Sequence, residues 1–216
     1  MGNCRVCPSV SARNIGVVFD EMLSLKKHVN SICKAALFHL RNVAKIREYL
    51  TVDNTKILIY AFVICWLGSN CNSLLEGSPK YLFKKLQHVQ NCAVRLVAQL
   101  AKAARTSPIL QKLHWLPVEQ RVIFKVLLLT YKALNNLASV YISNLLVRYE
   151  PSMNLRSTDK YLLQIPQTHL KTYGDRVFSV AAPRLWNALP MDIKLSPSVS
   201  VFKNRLKTHF FRAIYY

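Results

Sequence analysis

Acidic residues are scarce in this chain of 216 residues: ten Asp and Glu stand against thirty Lys and Arg, a formal net charge of +20. The ten acids are scattered and include no Asp-Asp pair, whereas polymerases and nucleases hold two metal ions with clustered carboxylates. Glycine is also rare, with five residues that form no phosphate-binding loop. The sequence therefore predicts a protein that is not an enzyme, with no catalytic residues.

Metal-ligand and nucleophile patterns are missing as well. The six histidines have no HExxH spacing, and no Gly-x-Ser-x-Gly elbow is present. Cys4 and Cys7 have metal or redox spacing, but no second pair completes a zinc site. We interpret Cys33, Cys65 and Cys92, which lie in apolar helical stretches, as small core residues. We accordingly expect no metal, no cofactor and no small-molecule substrate.

Long hydrophobic runs are absent too. The longest, residues 57–67, has about half the length that a bilayer requires, and Lys56 flanks it. The N-terminal residues lack the apolar stretch of a signal peptide. We expect no membrane partner and interpret residues 57–67 as a buried helix.

Apolar residues, at 51% of the chain, recur with the spacing of amphipathic helices. The fold predicted is mainly α: a basic helical bundle, then a mixed, proline-rich C-terminal region with short strands and a terminal helix. Ser198 is the expected N-cap of that last helix. The predicted helices span residues 24–50, 53–68, 79–104, 117–136 and 141–146, and the clearest predicted strand spans 161–165.

The helices predicted at 24–50 and 79–104 have basic outer faces. Residues 78–117 contain seven Lys and Arg and no acid, so that face gains nothing from ion pairs along the helix. It is either solvated or bound to anions, and nucleic acid is the commonest polyanion. An anionic membrane surface and a missing acidic partner domain are the alternatives. The candidate nucleic-acid-binding residues are Lys26, Lys34, Arg41, Lys45, Lys84, His88, Arg95 and Lys102.

Several strings resemble the end of the reverse transcriptase of LINE-type (non-LTR) retrotransposons, an RNA-directed DNA polymerase. Residues 13–20 (RNIGVVFD) and 23–28 (LSLKKH) are similar to the family text "NLGV.FD..LSF..H", which follows the catalytic motif. At residues 64–75 the chain lacks an Arg and an Asp of the family text, and no cysteine follows Cys92 to form a zinc knuckle. The other similar strings are residues 31–34, 38–42, 86–91, 93–97, 107–110, 113–118, 131–134, 141–142, 155–157, 174–179, 182–190, 202–203 and 206–209.

The resemblance implies three regions: a palm remnant at residues 1–22, a helical thumb-like domain at 23–105 and the C-terminal region of the element at 106–216. The family's catalytic Asp-Asp pair is expected upstream of Met1. The chain is then a transposable-element fragment that retains at most sequence-independent binding of RNA, DNA or RNA–DNA hybrid through phosphates. Two alternatives stay open: a decayed protein with no selected activity, or part of a longer, active polymerase.

Overall fold

Helices dominate the computed structural model, which describes residues 9–69, 72–101, 103–150 and 161–216. The described part contains one small sheet, of two strands, so the mainly α class is confirmed. The strands are β1 Ser11–Asn14 and β2 Val17–Asp20. The α-helices of the described residues are α1 Lys26–Lys45, α2 Val52–Ile59, α3 Cys65–Ser69, α4 Lys80–Ala98, α5 Ser107–Lys112, α6 Val118–Leu134, α7 Val140–Ser143, α8 Lys171–Gly174, α9 Phe178–Asn187, α10 Met191–Lys194 and α11 Val199–Tyr215.

The chain divides into two compact units. The described residues of Met1–Cys71 and Ser78–Ile109 form unit 1, and those of Asn72–Gly77 and Leu110–Tyr216 form unit 2. The seven candidate nucleic-acid-binding residues that the structure describes belong to unit 1 by this division. The three regions that the resemblance implies, with boundaries near residues 22 and 105, stay a prediction.

Unit 1 begins with an antiparallel hairpin in which Ser11 faces Asp20 across β1 and β2. The two residues of its loop, Ile15 (φ 46°) and Gly16 (φ 80°), both have the positive φ of a type I′ turn. Glycine adopts this conformation freely, whereas a β-branched side chain does so only under strain. The residues assigned by resemblance to the palm therefore include a tight hairpin.

Asp20 ends β2 and fixes the entry into α1. Its carboxylate accepts hydrogen bonds from the Ser24 backbone N–H at 2.8 Å and from Ser24 Oγ at 3.0 Å. Burial raises the pKa of Asp20, but these hydrogen bonds, helped by the Leu25 N–H and the charge of Lys27, outweigh it and lower the pKa. Asp20 therefore anchors the turn between β2 and α1.

Helices α1 and α4 run in the same direction and form the centre of unit 1. Near their starts Lys85 donates to Asn30, and beyond the end of α1 Arg47 reaches the last turn of α4. Their facing sides are apolar, as the helical spacing predicts. The buried residues of the two helices include Val29, Ile32, Ala36, Leu40, Val43, Leu82, Leu86, Val89, Ala93 and Val97.

The predicted helix boundaries were too long at two C-terminal ends. Helix α1 stops at Lys45 and continues as a 3-10 turn, Arg47–Tyr49. Helix α4 stops at Ala98 because Gln99 is left-handed (φ 51°) and the Leu100 N–H bonds to Arg95 O at 3.0 Å. This is a Schellman-type end, and it uses a glutamine where glycine is the usual signal.

The core of unit 2 is built around a stack of aromatic rings. Phe202 of α11 is fully buried between Tyr131 of α6, at 4.2 Å between ring centroids, and Trp186 of α9, at 6.1 Å. The Tyr131 hydroxyl donates to Ser196 O at 2.6 Å, so its buried polar atom is satisfied. Three helices distant in sequence are joined by these rings.

The proline-rich region is more helical than its composition indicated. Pro190 is the N-cap of α10, and Pro183 lies inside α9. The predicted strand at 161–165 forms an isolated antiparallel bridge, Arg148 to Leu163. Composition misled here in part because a proline can stand at the start of a helix, as Pro190 does, where its missing N–H costs nothing.

Glu76 of unit 2 provides a pH-dependent test of this packing. Burial and then the charge of Glu119 raise its pKa, against the Gly77 N–H and Arg184, which lower it. A carboxyl with a raised pKa in the folded chain destabilises the fold where it is ionised. That penalty is absent below the ordinary pKa and grows as the pH rises past it. We expect Glu76→Gln to stabilise the chain at pH 7, by less than about 1 kcal/mol because the carboxyl is only partly buried and solvent screens its charge.

Thermal unfolding of Glu76→Gln and wild type at several pH values measures this effect. The stability difference should be present at neutral pH and shrink toward zero in acid. Glu119→Gln is a matched control, because it removes the second-largest cause of the shift and should give a smaller gain. An unchanged or lower midpoint for Glu76→Gln at neutral pH contradicts the expectation.

Candidate nucleic-acid interface

Six of the eight candidate residues have exposed side chains. They are Lys26, Lys34, Arg41 and Lys45 of α1 and Lys84 and His88 of α4. Arg95 is partly buried, and its Nη2 approaches Ala104 O at 3.5 Å. Lys102 was expected on the outer face of α4, but α4 ends at Ala98, and Lys102 lies outside the described residues.

Four exposed residues of α1 follow one another at intervals of four, three and four. They are Lys34, Phe38, Arg41 and Lys45, and we call them the outer stripe. Residues three and four apart are neighbours on a helix surface, so the Phe38 ring lies between Lys34 and Arg41. This spacing usually marks the buried face of a helix. In α1 it is occupied by three cations and one exposed aromatic ring.

The cations of α1 and α4 meet where the two helices touch at the surface. Lys85 Nζ donates to Asn30 Oδ1 at 2.9 Å, and both residues are exposed. Lys26 and Lys34 lie four residues before and after Asn30, so they share its side of α1. His88 is three residues after Lys85. The structure thus brings Lys26, Lys34 and His88 to one surface.

Lys84 lies on the same side of α4 as His88. It is four residues before His88, and residues four apart are neighbours on a helix surface. Arg95 also lies on this side of α4, but its side chain turns toward the segment after the helix. Of the α4 candidates, Lys84 and His88 are therefore the exposed cations of this side, and Arg95 is partly buried.

No carboxylate offsets these charges within the two helices. α1 has five Lys and Arg and α4 has four, and neither contains an Asp or Glu. In the described part of unit 1, one ion pair is formed, between Lys56 and Asp53 of α2. The first turns of α1 and α4 also carry lysines and no acid, although helix N-termini already bear partial positive charge. The field around this surface favours anions.

Sequence reasoning missed four residues of this surface. Lys27, Lys80 and Lys85 are exposed cations on the same two helices, and Phe38 is an exposed ring between cations. The lysines were detectable as members of an acid-free run. Phe38 was not, because an aromatic residue in an amphipathic helix is more often a core residue.

The cysteine interpretation was wrong in part. Cys65 is exposed, and Cys33 and Cys92 are partly buried, so none is a fully buried core residue. Burial raises the pKa of the Cys33 thiol despite nearby Lys85, which lowers it. Cys4 and Cys7 lie outside the described residues. Among the residues that the structure describes, no group of three or more His, Cys, Asp or Glu side chains could hold a metal ion.

Residues 57–67 form a helix, but one exposed along one side, so their assignment as a buried helix was wrong. Ile59, Val63, Ile64 and Leu67 are buried, whereas Ile57, Tyr60, Phe62 and Trp66 are exposed. The middle of this segment, Tyr60–Ile64, is a π-helical turn. None of the described helices is long and apolar enough to cross a membrane. Hydrophobicity alone did not distinguish the buried side of this helix from the exposed side, because the exposed side is apolar as well.

Comparison of the chain with protein-family models, with curated proteins and with solved structures gave no match.

Proposed function

We propose that this chain is a remnant of a LINE-type reverse transcriptase that binds RNA, DNA or their hybrid through phosphates and performs no polymerisation. The observation that carries the binding proposal is the acid-free, cationic surface of α1 and α4 in unit 1. The motif strings, such as residues 13–20 and 182–190, support the family assignment.

Phosphate is the chemistry that this surface recognises. Lys and Arg side chains on an exposed helix face neutralise backbone phosphates and release counterions, and this accounts for most non-specific affinity. Phosphate contacts carry no base identity. Binding by Lys26, Lys34, Arg41 and Lys45, with Lys84 and His88, is therefore insensitive to sequence.

The decisive measurement is the affinity of the full chain for a duplex of arbitrary sequence as a function of salt. If about six cations bind phosphates, log K falls against log salt with a slope near −5 between about 0.05 and 0.2 M. A duplex of scrambled sequence should bind equally well. Weak affinity that does not vary with salt rules the proposal out.

A primed-template assay with the purified chain tests the absence of polymerisation. The ten acids of the sequence include no Asp-Asp pair, and metal-dependent nucleotide transfer needs carboxylates that hold two ions. We expect no nucleotide incorporation with Mg²⁺ or Mn²⁺. Incorporation by the 216-residue chain overturns this part of the proposal.

A further inference from the structure

A row of aromatic rings begins at Phe38 in the outer stripe and leads away from the lysines. The Phe38 ring meets the His39 ring edge-on, at 5.6 Å between centroids, and His39 stacks on Phe62 at 5.6 Å and 25°. We call Phe38, His39 and Phe62 the ring row. It joins α1 to the π-helical turn, so two separate segments of unit 1 contribute to it.

The ring row is open to solvent. Phe38 is 58% exposed and Phe62 45% exposed, and Trp66, four residues beyond Phe62, is 38% exposed. Single exposed apolar residues are common on protein surfaces. Rings in contact with each other and flanked by cations on one side are a more specific arrangement.

The π-helical turn is what presents Phe62. Its hydrogen bonds span five residues rather than four, and such turns occur frequently at functional sites. Within Tyr60–Ile64 the turn keeps Val63 and Ile64 buried while Phe62 packs against His39 at the surface.

We propose that the ring row is a stacking platform for the bases of single-stranded nucleic acid, with the outer stripe cations holding its phosphates. Proteins that bind single strands combine a positively charged track with aromatic side chains on which bases stack. Here Lys34 and Arg41 flank Phe38 directly, so phosphate and base contacts lie side by side. This inference rests on the proposed function and adds a preference for unpaired bases.

The charges that border the ring row indicate what binds there. An apolar surface that docks a protein could be uncharged at its border, but this one is bordered by Lys34, Arg41 and Lys45 and by no carboxylate of α1. A polyanion with planar aromatic groups matches both features. A second copy of this chain offers aromatic rings but does not match the cations, because it carries the same positive excess.

The test compares two oligonucleotides of about 12 nucleotides, a length that single-strand sites accommodate. One carries thymine bases, and the other is an abasic chain with the same number of phosphates. The full chain should bind the thymine strand on the order of tenfold more tightly by fluorescence anisotropy. Equal affinity for both overturns the inference and leaves phosphate binding intact. Failure to bind either strand overturns both proposals.

Substitutions of single rings test whether the ring row is the surface on which bases stack. Phe38→Leu and Phe62→Leu keep apolar volume but remove the ring, and each should reduce the preference for thymine over abasic strand severalfold without changing the salt slope. Tyr49→Leu is the matched control, since Tyr49 is an exposed ring of unit 1 outside the ring row, and it should change nothing. Circular dichroism confirms that each variant is folded.

Sedimentation velocity tests the alternative occupant of the ring row, a second copy of the chain. If self-association is weakened by Phe38→Glu while thymine and abasic strands bind equally, the ring row is an interface between copies and the inference is wrong. A chain that stays monomeric and shows the base-dependent preference supports it.

Discussion

Replacing Lys34, Arg41 and Lys45 together by glutamate is expected to lower the affinity of the chain for RNA or DNA by on the order of 100-fold at about 0.1 M salt. The three side chains are exposed members of the outer stripe. Each substitution removes one phosphate contact and places a negative charge beside the phosphates. The salt slope should also become shallower by about 3, since each lost contact removes roughly 0.9.

Net charge is a competing explanation for any such loss, because a strongly positive protein attracts polyanions from every side. A control with the same change in charge separates the two. Lys112, Lys125 and Lys203 are exposed lysines of unit 2, and their joint replacement by glutamate changes the formal charge by the same amount. We expect this control to lose severalfold less affinity than the outer-stripe variant.

Equal losses in the two variants contradict a defined interface on α1 and α4 and indicate attraction to the chain as a whole. Both variants alter exposed positions, where substitutions usually change stability by less than about 0.5 kcal/mol. Circular dichroism melting curves should therefore overlap with those of wild type, and a folded variant with weakened binding isolates the electrostatic contribution.

The helical framework of unit 1 was predictable because periodic apolar residues force one face of a helix inward. Val29, Leu40, Leu86 and Val97 all follow that rule and are buried. The helix end at Gln99 was not predictable, since any residue can adopt the left-handed conformation when surrounding contacts stabilise it, and the sequence has no glycine there. The predicted helix was therefore too long at this end.

The candidate surface was predictable in part. An acid-free run identifies cations without counterions, and six candidates are indeed exposed. Which of them share one surface depends on how α1 and α4 pack, and the sequence does not specify that packing. The Asn30–Lys85 hydrogen bond, which joins residues fifty-five apart in sequence, is a contact that brings the exposed sides of α1 and α4 together.

Arg47 is a basic residue whose burial could not be predicted from the sequence. It belongs to the same basic stretch as Lys45, and its type and position indicate a solvated cation. In the structure it is 7% exposed. Its Nε donates to Leu96 O at 3.1 Å, its Nη2 to Val97 O at 3.3 Å and its Nη1 to Leu50 O at 2.8 Å. The guanidinium therefore caps the C-terminal end of α4.

Such a cap has two sources of stabilisation. The last four carbonyls of a helix have no partner within the helix, and Leu96 and Val97 are among those of α4. A cation at this end also interacts favourably with the helix dipole. A planar guanidinium can donate to several carbonyls at once, which a lysine ammonium on a flexible chain does less well.

Replacing Arg47 by methionine is therefore expected to destabilise unit 1 by about 3 kcal/mol. Methionine retains the apolar stem of the side chain but leaves buried carbonyls without donors, at about 1–3 kcal/mol for each unsatisfied group. Arg47→Lys should recover part of the loss. Arg41→Met, on the exposed side of α1, is the matched control and should stay within about 0.5 kcal/mol of wild type.

Because the chain has two compact units, one unfolding curve can mix two transitions. Amide hydrogen exchange followed by mass spectrometry resolves them by segment. For Arg47→Met, faster exchange is expected in peptides from α1 and α4, with peptides from α6 and α11 unchanged. Exchange in α4 at the wild-type rate shows that the three hydrogen bonds contribute little, and that another interaction determines where α4 ends.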